Sequence, residues 1–390
     1  MNKNLTAEVV IVGAGLVGLS AAICFAKQDK NVLLIDAKNT QIKPKKAWDS
    51  RVYALTPATE KWLKDLGVWA EVDQKRVNNI DAMHLFTANG DAPLQLKAED
   101  ANCAKLGLII ENQQLIHVLW QQVNALGVTV ITDSTCEKIE NTSSNVMLYL
   151  DNKSVISAKL LLAADGVNSW VRAQANIAVT HKSFEQTAIV ANFKTEKPHN
   201  NVARQWFASH DVLALLPMPA QMVSIVWSVS TQKAVELLLL TADELAQSVL
   251  EKSKGVLGKL TLQGKPQQFA LNQSTAKRFI GERMVLFGDA AHQIHPMAGQ
   301  GVNLGFRDVM ELQQMTTNMH SMMDVGDSAL LRQYERARLA DIASMNTLTS
   351  GLDALFATEN RWMNGLRDWG FKQLNAQASI KKLLIQQATA

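Results

Sequence analysis

The hydrophobic pattern divides the chain into two textures. Val9 to Val12, Val32 to Ile35, Leu160 to Ala163 and Met284 to Phe287 are short unbroken apolar runs, the pattern of strands covered on both faces. Val128 to Ile131 and Val146 to Leu150 read as further strands. Leu16 to Lys27, between the first two runs, predicts a helix with small residues on one side, so the chain opens strand, helix, strand. Helices are also predicted over Pro57 to Leu66 and Glu111 to Leu126, with a polar loop over residues 37–52. From about residue 180 to 275 the texture changes to alternation, as in Ser224 to Ser228, which predicts an antiparallel sheet with one wet face. A helix follows over Ala242 to Lys252, and from Gly301 the chain reads as helical to its end.

The 390 residues favour two or three domains, at ~150 residues each. With 47% hydrophobic and 19% charged residues, the chain is neither disordered nor collagen-like. A net charge of +3 gives no basis for nucleic-acid binding, which needs a clustered basic excess. Cys24, Cys103 and Cys136 are far apart and in no metal spacing, which predicts a reducing compartment without disulfides or zinc. Residues 9–26 are uncharged and long enough to span a membrane, but Gly13, Gly15 and Gly18 interrupt them, so a βα unit is the expectation.

Three glycine–acid motifs follow predicted strands. In Gly13-Ala14-Gly15-Leu16-Val17-Gly18, the first glycine permits a tight turn, the second lets a pyrophosphate approach, and the third lets helix and strand pack closely. The helix N-terminus offers free N–H groups to phosphates. Asp36 ends the next strand, where a carboxylate accepts from ribose hydroxyls and disfavours a 2′-phosphate. The second motif runs from Ala163-Ala164-Asp165-Gly166 to Arg172; Asp165 and Ser169 read equally as helix caps or as site residues. The third runs from Leu286-Phe287-Gly288-Asp289 through His292, His295, Pro296, Gly299, Gln300, Gly301, Val302 and Asn303 to Gly305. Asp289 can bond a hydroxyl chain, and the amides around Gly299 to Val302 favour negative charge on a ring carbonyl.

Together these motifs resemble the para-hydroxybenzoate hydroxylase-like flavoproteins, and most closely the branch that hydroxylates the polyprenylated ring in ubiquinone biosynthesis. Asp49-Ser50-Arg51 before Ala54-Leu55, Glu111-Asn112-Gln113, and Val202-Ala203-Arg204-Gln205 match it too. The resemblance implies an α/β fold: a Rossmann-like FAD-binding domain (1–75, 105–180 and 276–330), an inserted antiparallel β-sheet substrate domain (76–104 and 181–275) and C-terminal helices (331–390). It implies that Gly13, Gly15 and Gly18 hold the FAD pyrophosphate and Asp36 the adenosine ribose. Arg51 would reach the phosphates or adenine, Gln113 and Asp289 the ribityl chain, and Asp165 both FAD and pyridine nucleotide. Pro296, Gly299, Gln300 and Gly301 would line the flavin ring, and Val302 and Asn303 would also bind the cofactor.

The implied reaction uses NADH or NADPH as transient donor and O2, through a flavin C4a-hydroperoxide that transfers oxygen to a phenol or benzoquinol. Such chemistry needs a dry pocket, and Leu213 to Leu216 and Ile225 to Trp227 are candidates for its wall or for ordinary sheet core. His292 and His295 read as catalytic groups or as hydrogen-bond posts for the loop. A cytoplasmic protein peripheral to the inner membrane, in contact with a ubiquinone-synthesis complex, is expected. Trp362, Leu366, Trp369, Ile380, Leu383 and Leu384 could form the lipid-facing helix or pack on the domain. The competing readings are a hydroxylase of a soluble phenol and a non-catalytic flavoprotein.

Overall fold

The computed structural model describes residues 4–87, 93–208, 211–294, 301–317, 319, 323–357, 373–375 and 377–389. The apolar runs form the centre of a mostly parallel sheet, in the order Met284–Leu286, Val155–Ala163, Asn4–Val12, Val32–Ile35, Thr129–Ile131. From Asn4–Val12 the chain builds outward on one side through Val32–Ile35, and Val155–Ala163 returns on the other. The sheet therefore reverses its winding between Asn4–Val12 and Val155–Ala163, where open α/β sheets place their ligand crevice. Helix Leu16–Ala26 packs on it, and helices Asn112–Ala125 and Gly301–Thr317 pack against Leu16–Ala26.

A second sheet of eight strands is built around the long pair Val179–Thr195 and Leu260–Ala276. Its outer face carries Ile189, Trp206, Leu213, Leu215, Ile225 and Trp227, packed under helices Thr231–Leu239 and Ala242–Lys252. Its inner face meets a three-stranded sheet of Val52–Leu55, Gly107–Glu111 and Val77–Ile80, through Ala203, Leu216, Met218 and Met222 against Val52, Ala54, Ile80 and Ile109.

Two expectations change. The small sheet is not among the expected elements: its first strand begins at Val52, the last residue of the expected loop, and Val52-Tyr53-Ala54-Leu55 is too short to show a period by itself. The proposed pocket wall splits by strand parity: Leu213, Leu215, Ile225 and Trp227 are core, while Ala214, Leu216 and Val226 face inward.

Candidate active site

The three motifs converge at the carboxyl ends of the parallel strands. Gly13 sits at φ +106°, and a Cβ there would collide with the Ala164 carbonyl, so the first and second motifs touch backbone to backbone. A Cβ on Gly18 would collide with the Gly13 carbonyl, which locks the helix onto the turn. Val17 packs against both Gly288 and Gly305, joining the first motif to the third. Arg172 completes the assembly: its guanidinium donates to the carbonyls of Ala290 (2.8 Å) and Val167 (2.7 Å).

Gly15 is different. It caps the Leu16–Ala26 helix at φ −78°, and a Cβ there would meet nothing within 4 Å. Open space at a helix N-terminus with unpaired N–H groups is the local shape that receives a phosphate. Beside it, Asp36 accepts from the Ala14 N–H (2.5 Å) and the Lys38 N–H (2.8 Å), which fixes its carboxylate at the mouth of the turn.

Asp289 is exposed to the same groove, yet the groove walls desolvate its carboxyl and push its pKa up, against the charges of His292 and Arg51. Tyr53 lies with them. Arg51 is 5.4 Å from its ring centroid, and its hydroxyl donates to Asn112 Oδ1 (3.3 Å). Burial pushes its phenol up to about 12; Arg51 opposes this, and Asp289 and Asp49 add to it. Asp165 keeps one oxygen on the Val171 N–H (3.2 Å), while its buried Oδ1 has no partner in the chain, and burial raises its pKa. Open space at Gly15, an accessible carboxylate at a strand end and an orphaned carboxylate oxygen on the second motif fit a dinucleotide with a hydroxyl-bearing chain.

Other sequence candidates serve the protein itself. Gln113 is buried: its amide donates to Ala47 O (3.0 Å) and Glu111 Oε1 (3.1 Å) and accepts from the Lys45 N–H (3.0 Å). It shapes the loop leading to Arg51 and has no free donor for a ribityl chain. Asn303 accepts from the Thr56 N–H (3.1 Å) and Thr59 hydroxyl (2.9 Å) and donates to Ala54 O (2.8 Å), clamping the Gly301–Thr317 helix to the small sheet. Gly301 and Val302 are half-buried in the first turn of that helix. His292 is a post: it is 2% exposed and its Nε2–H donates to Asp308 (2.8 Å). Pro296, Gly299, Gln300 and His295 lie outside the described residues, as do Trp362, Leu366 and Trp369.

Asp308 escapes a motif-based reading. Fully buried, it accepts from the Gly288 N–H (2.7 Å), His292 and Arg338 Nε (2.7 Å). Burial alone would raise its pKa; the charges of His292 and Arg338 and these bonds hold it below the usual carboxylate range. The sequence signal is an acid on an apolar helical stripe, between Leu304 and Leu312.

A profile of the FAD binding domain family matches residues 6–348. The chain is 30% identical to the ubiquinone hydroxylase UbiL of Rhodospirillum rubrum, over 99% of this chain and 90% of that protein. This chain belongs to the ubiquinone-biosynthesis family of FAD-dependent monooxygenases. It is also 28% identical to human mitochondrial ubiquinone biosynthesis monooxygenase COQ6, over 97% of this chain and 90% of the relative. The crystal structure of p-nitrophenol 4-monooxygenase PnpA from Pseudomonas putida DLL-E4 shares the fold, with a TM-score of 0.79 at 16% identity over 100% and 99% of the two chains.

The family requires FAD, and Asp289 is the side chain best placed to test the groove. Asp289→Ala removes a charged acceptor worth ~1.5–3 kcal/mol, so FAD affinity is expected to fall about tenfold or more. Fluorescence titration of the apoprotein measures it; unchanged affinity would remove Asp289 from the site.

Proposed function

We propose that this protein is an aromatic ring hydroxylase that uses NADH or NADPH and O2 to hydroxylate a prenylated phenol or benzoquinol on the route to ubiquinone. One observation favours this over a soluble phenolic acid. The inner face of the large sheet presents Ala188, Val190, Val212, Ala214, Leu216 and Val226, with Asn192, Gln205, Ser224 and Ser228 among its polar members. The ladder rows Val190–Val226–Ala214 and Ala188–Ser228–Val212 carry no charge to meet a substrate carboxylate; the nearest charge on this face, Lys194, pairs with Met222 two pleats beyond Val190.

FAD, when bound, supplies the redox chemistry and the activation of O2. The chain supplies position and dryness. Gly15 and the helix N-terminus would take the pyrophosphate, Asp36 the ribose, Asp289 the hydroxyl chain and Arg51 the phosphates or the adenine side. Pro296, Gly299 and Gln300 are assigned to the ring as the family pattern implies. The apolar inner face keeps water from the reacting centre. The discontinuous 1–75, 105–180 and 276–330 unit then carries the cofactor, with 76–104 and 181–275 forming the substrate unit.

Among the described residues no helix is long and apolar enough to cross a membrane. The Ala378–Thr389 helix is tied to the large sheet's edge through Lys381 and Asp100 (2.8 Å), and Ile380 and Leu383 stay 38% and 54% exposed. This supports peripheral contact with the cytoplasmic face of the inner membrane, where a prenylated substrate and its partner enzymes reside.

Deleting the gene in its host tests the reading. Loss of ubiquinone with accumulation of a prenylated intermediate lacking one ring hydroxyl is expected by mass spectrometry. Normal ubiquinone with no such intermediate, in a host without a second ring hydroxylase of the same specificity, contradicts it.

A further inference from the structure

Two buried side-chain atoms on the inner face of the large sheet have no hydrogen-bond partner in the chain: Asn192 Oδ1 and Ser224 Oγ. The residues are 1% and 0% exposed. They face each other directly in the antiparallel ladder, so both side chains leave the sheet on the same side, next to each other. Buried polar groups in folded proteins are nearly always paired, and two neighbouring exceptions call for one explanation.

Their surroundings say where they look. Asn192 Nδ2 donates to the Asp49 carbonyl at 2.8 Å. Asp49 is two residues before Arg51, and its carboxylate accepts from the Arg51 N–H (3.0 Å). The carbonyl needs a donor, so the Asn192 nitrogen is fixed toward Asp49 and its oxygen is turned elsewhere. One pleat along the same face, about 7 Å away, Val190 and Val226 are ladder partners, and Val226 pairs onward with Ala214. Val226 and Ala214 are partly open. The orphaned pair therefore sits where the apolar patch meets the loop that carries Arg51.

The pair also has a definite chemistry. Asn192 Oδ1 only accepts, while the Ser224 hydroxyl donates. Side by side they match a hydroxyl group, which gives one hydrogen bond and takes one. We propose that Asn192 and Ser224 orient the aromatic substrate by gripping a ring hydroxyl, Ser224 donating to its oxygen and Asn192 Oδ1 accepting its proton. The assignment rests on the hydroxylase reading and deepens it. Neither side chain titrates in the ordinary pH range, and the pair fits the neutral phenol, whose hydroxyl still has a hydrogen to donate. The ring is thereby pinned at the apolar patch by a feature that a simple hydrocarbon lacks.

Ser224→Ala tests this in the FAD-loaded protein, with a short-chain prenylphenol and the corresponding prenylbenzene as probes. Binding is read from the change in flavin absorbance. The variant is expected to bind the prenylphenol about tenfold more weakly, about 1.4 kcal/mol, and the prenylbenzene as the wild type does. Its melting temperature should not fall, because Ser224 Oγ has no protein partner to lose. Unchanged preference for the phenol in the variant overturns the assignment and leaves a buried water as occupant of the pair. A wild-type protein that binds neither probe overturns the hydroxylase reading and this assignment with it.

Discussion

Asp308→Ala is expected to destabilise the protein by about 3–5 kcal/mol, the range for breaking a buried charge pair from one side. Asp308 Oδ1 accepts from Arg338 Nε at 2.7 Å, while its Oδ2 accepts from Gly288 and His292. Arg338 is 4% exposed and keeps only Asp341 (2.6 Å) as a carboxylate partner after the change. The Gly288 N–H also loses its acceptor, at the turn that presents Asp289 to the groove. Denaturant unfolding should therefore show the loss of stability, and the flavin-to-protein ratio should fall with it. A variant within about 1 kcal/mol of wild type would mean that water or a rearranged Asp341 replaces the carboxylate. The depressed Asp308 pKa gives the same interaction a pH signature. Its stabilisation is present above the unfolded-state carboxylate pKa and is lost as pH falls through the lower folded-state value.

Gly15→Val separates folding from cofactor binding. At φ −78° and ψ −176° the backbone at Gly15 suits any residue, and the added side chain enters open space. The chain should fold, with a cost of about 1 kcal/mol for a poor helix cap. The valine would occupy the position through which a pyrophosphate must approach the helix N-terminus. The expected product is a folded, colourless protein, checked by circular dichroism and the visible spectrum. A yellow, fully loaded variant contradicts the assigned phosphate site. Gly13→Ala and Gly18→Ala are different in kind, since both would drive a methyl group into a backbone carbonyl and disturb the turn itself.

The sequence was legible where one local pattern decides the structure. The apolar runs at 9–12, 32–35 and 284–286 are strands because they are covered on both faces. Ala242–Lys252 is a helix with a Thr241–Glu244 capping box, and its bounds follow from that signal. The alternation at 224–228 announced an antiparallel sheet but could not say which parity turned toward the small sheet. That depends on what covers each face, and here two helices cover the side of Ile225 and Trp227.

Site residues divide on the same principle. Motif glycines and strand-end acids are local, so Gly13, Gly15, Asp36 and Asp289 could be named in advance as candidates. Gln113 and Asn303 belong to matching motifs, yet their amides are taken up by backbone groups of the 45–47 loop and the small sheet. Partners far apart in sequence leave no local trace of this kind. For Asp308 and Arg338, the hint is a charge on an otherwise apolar helical stripe, and Arg338 follows Leu331 and Tyr334 on such a stripe. For Asn192 and Ser224 there is no hint before the strand register is known.

The central claim is that this chain uses its flavin to place one atom of O2 on a prenylated aromatic ring. Turnover of a prenylphenol with reduced pyridine nucleotide under isotopically heavy O2 tests it directly. A hydroxylated product carrying one heavy oxygen atom, with heavy water as the other product, is the predicted result. A product whose new oxygen comes from solvent, or flavin reoxidation that yields only hydrogen peroxide with the ring untouched, would contradict it.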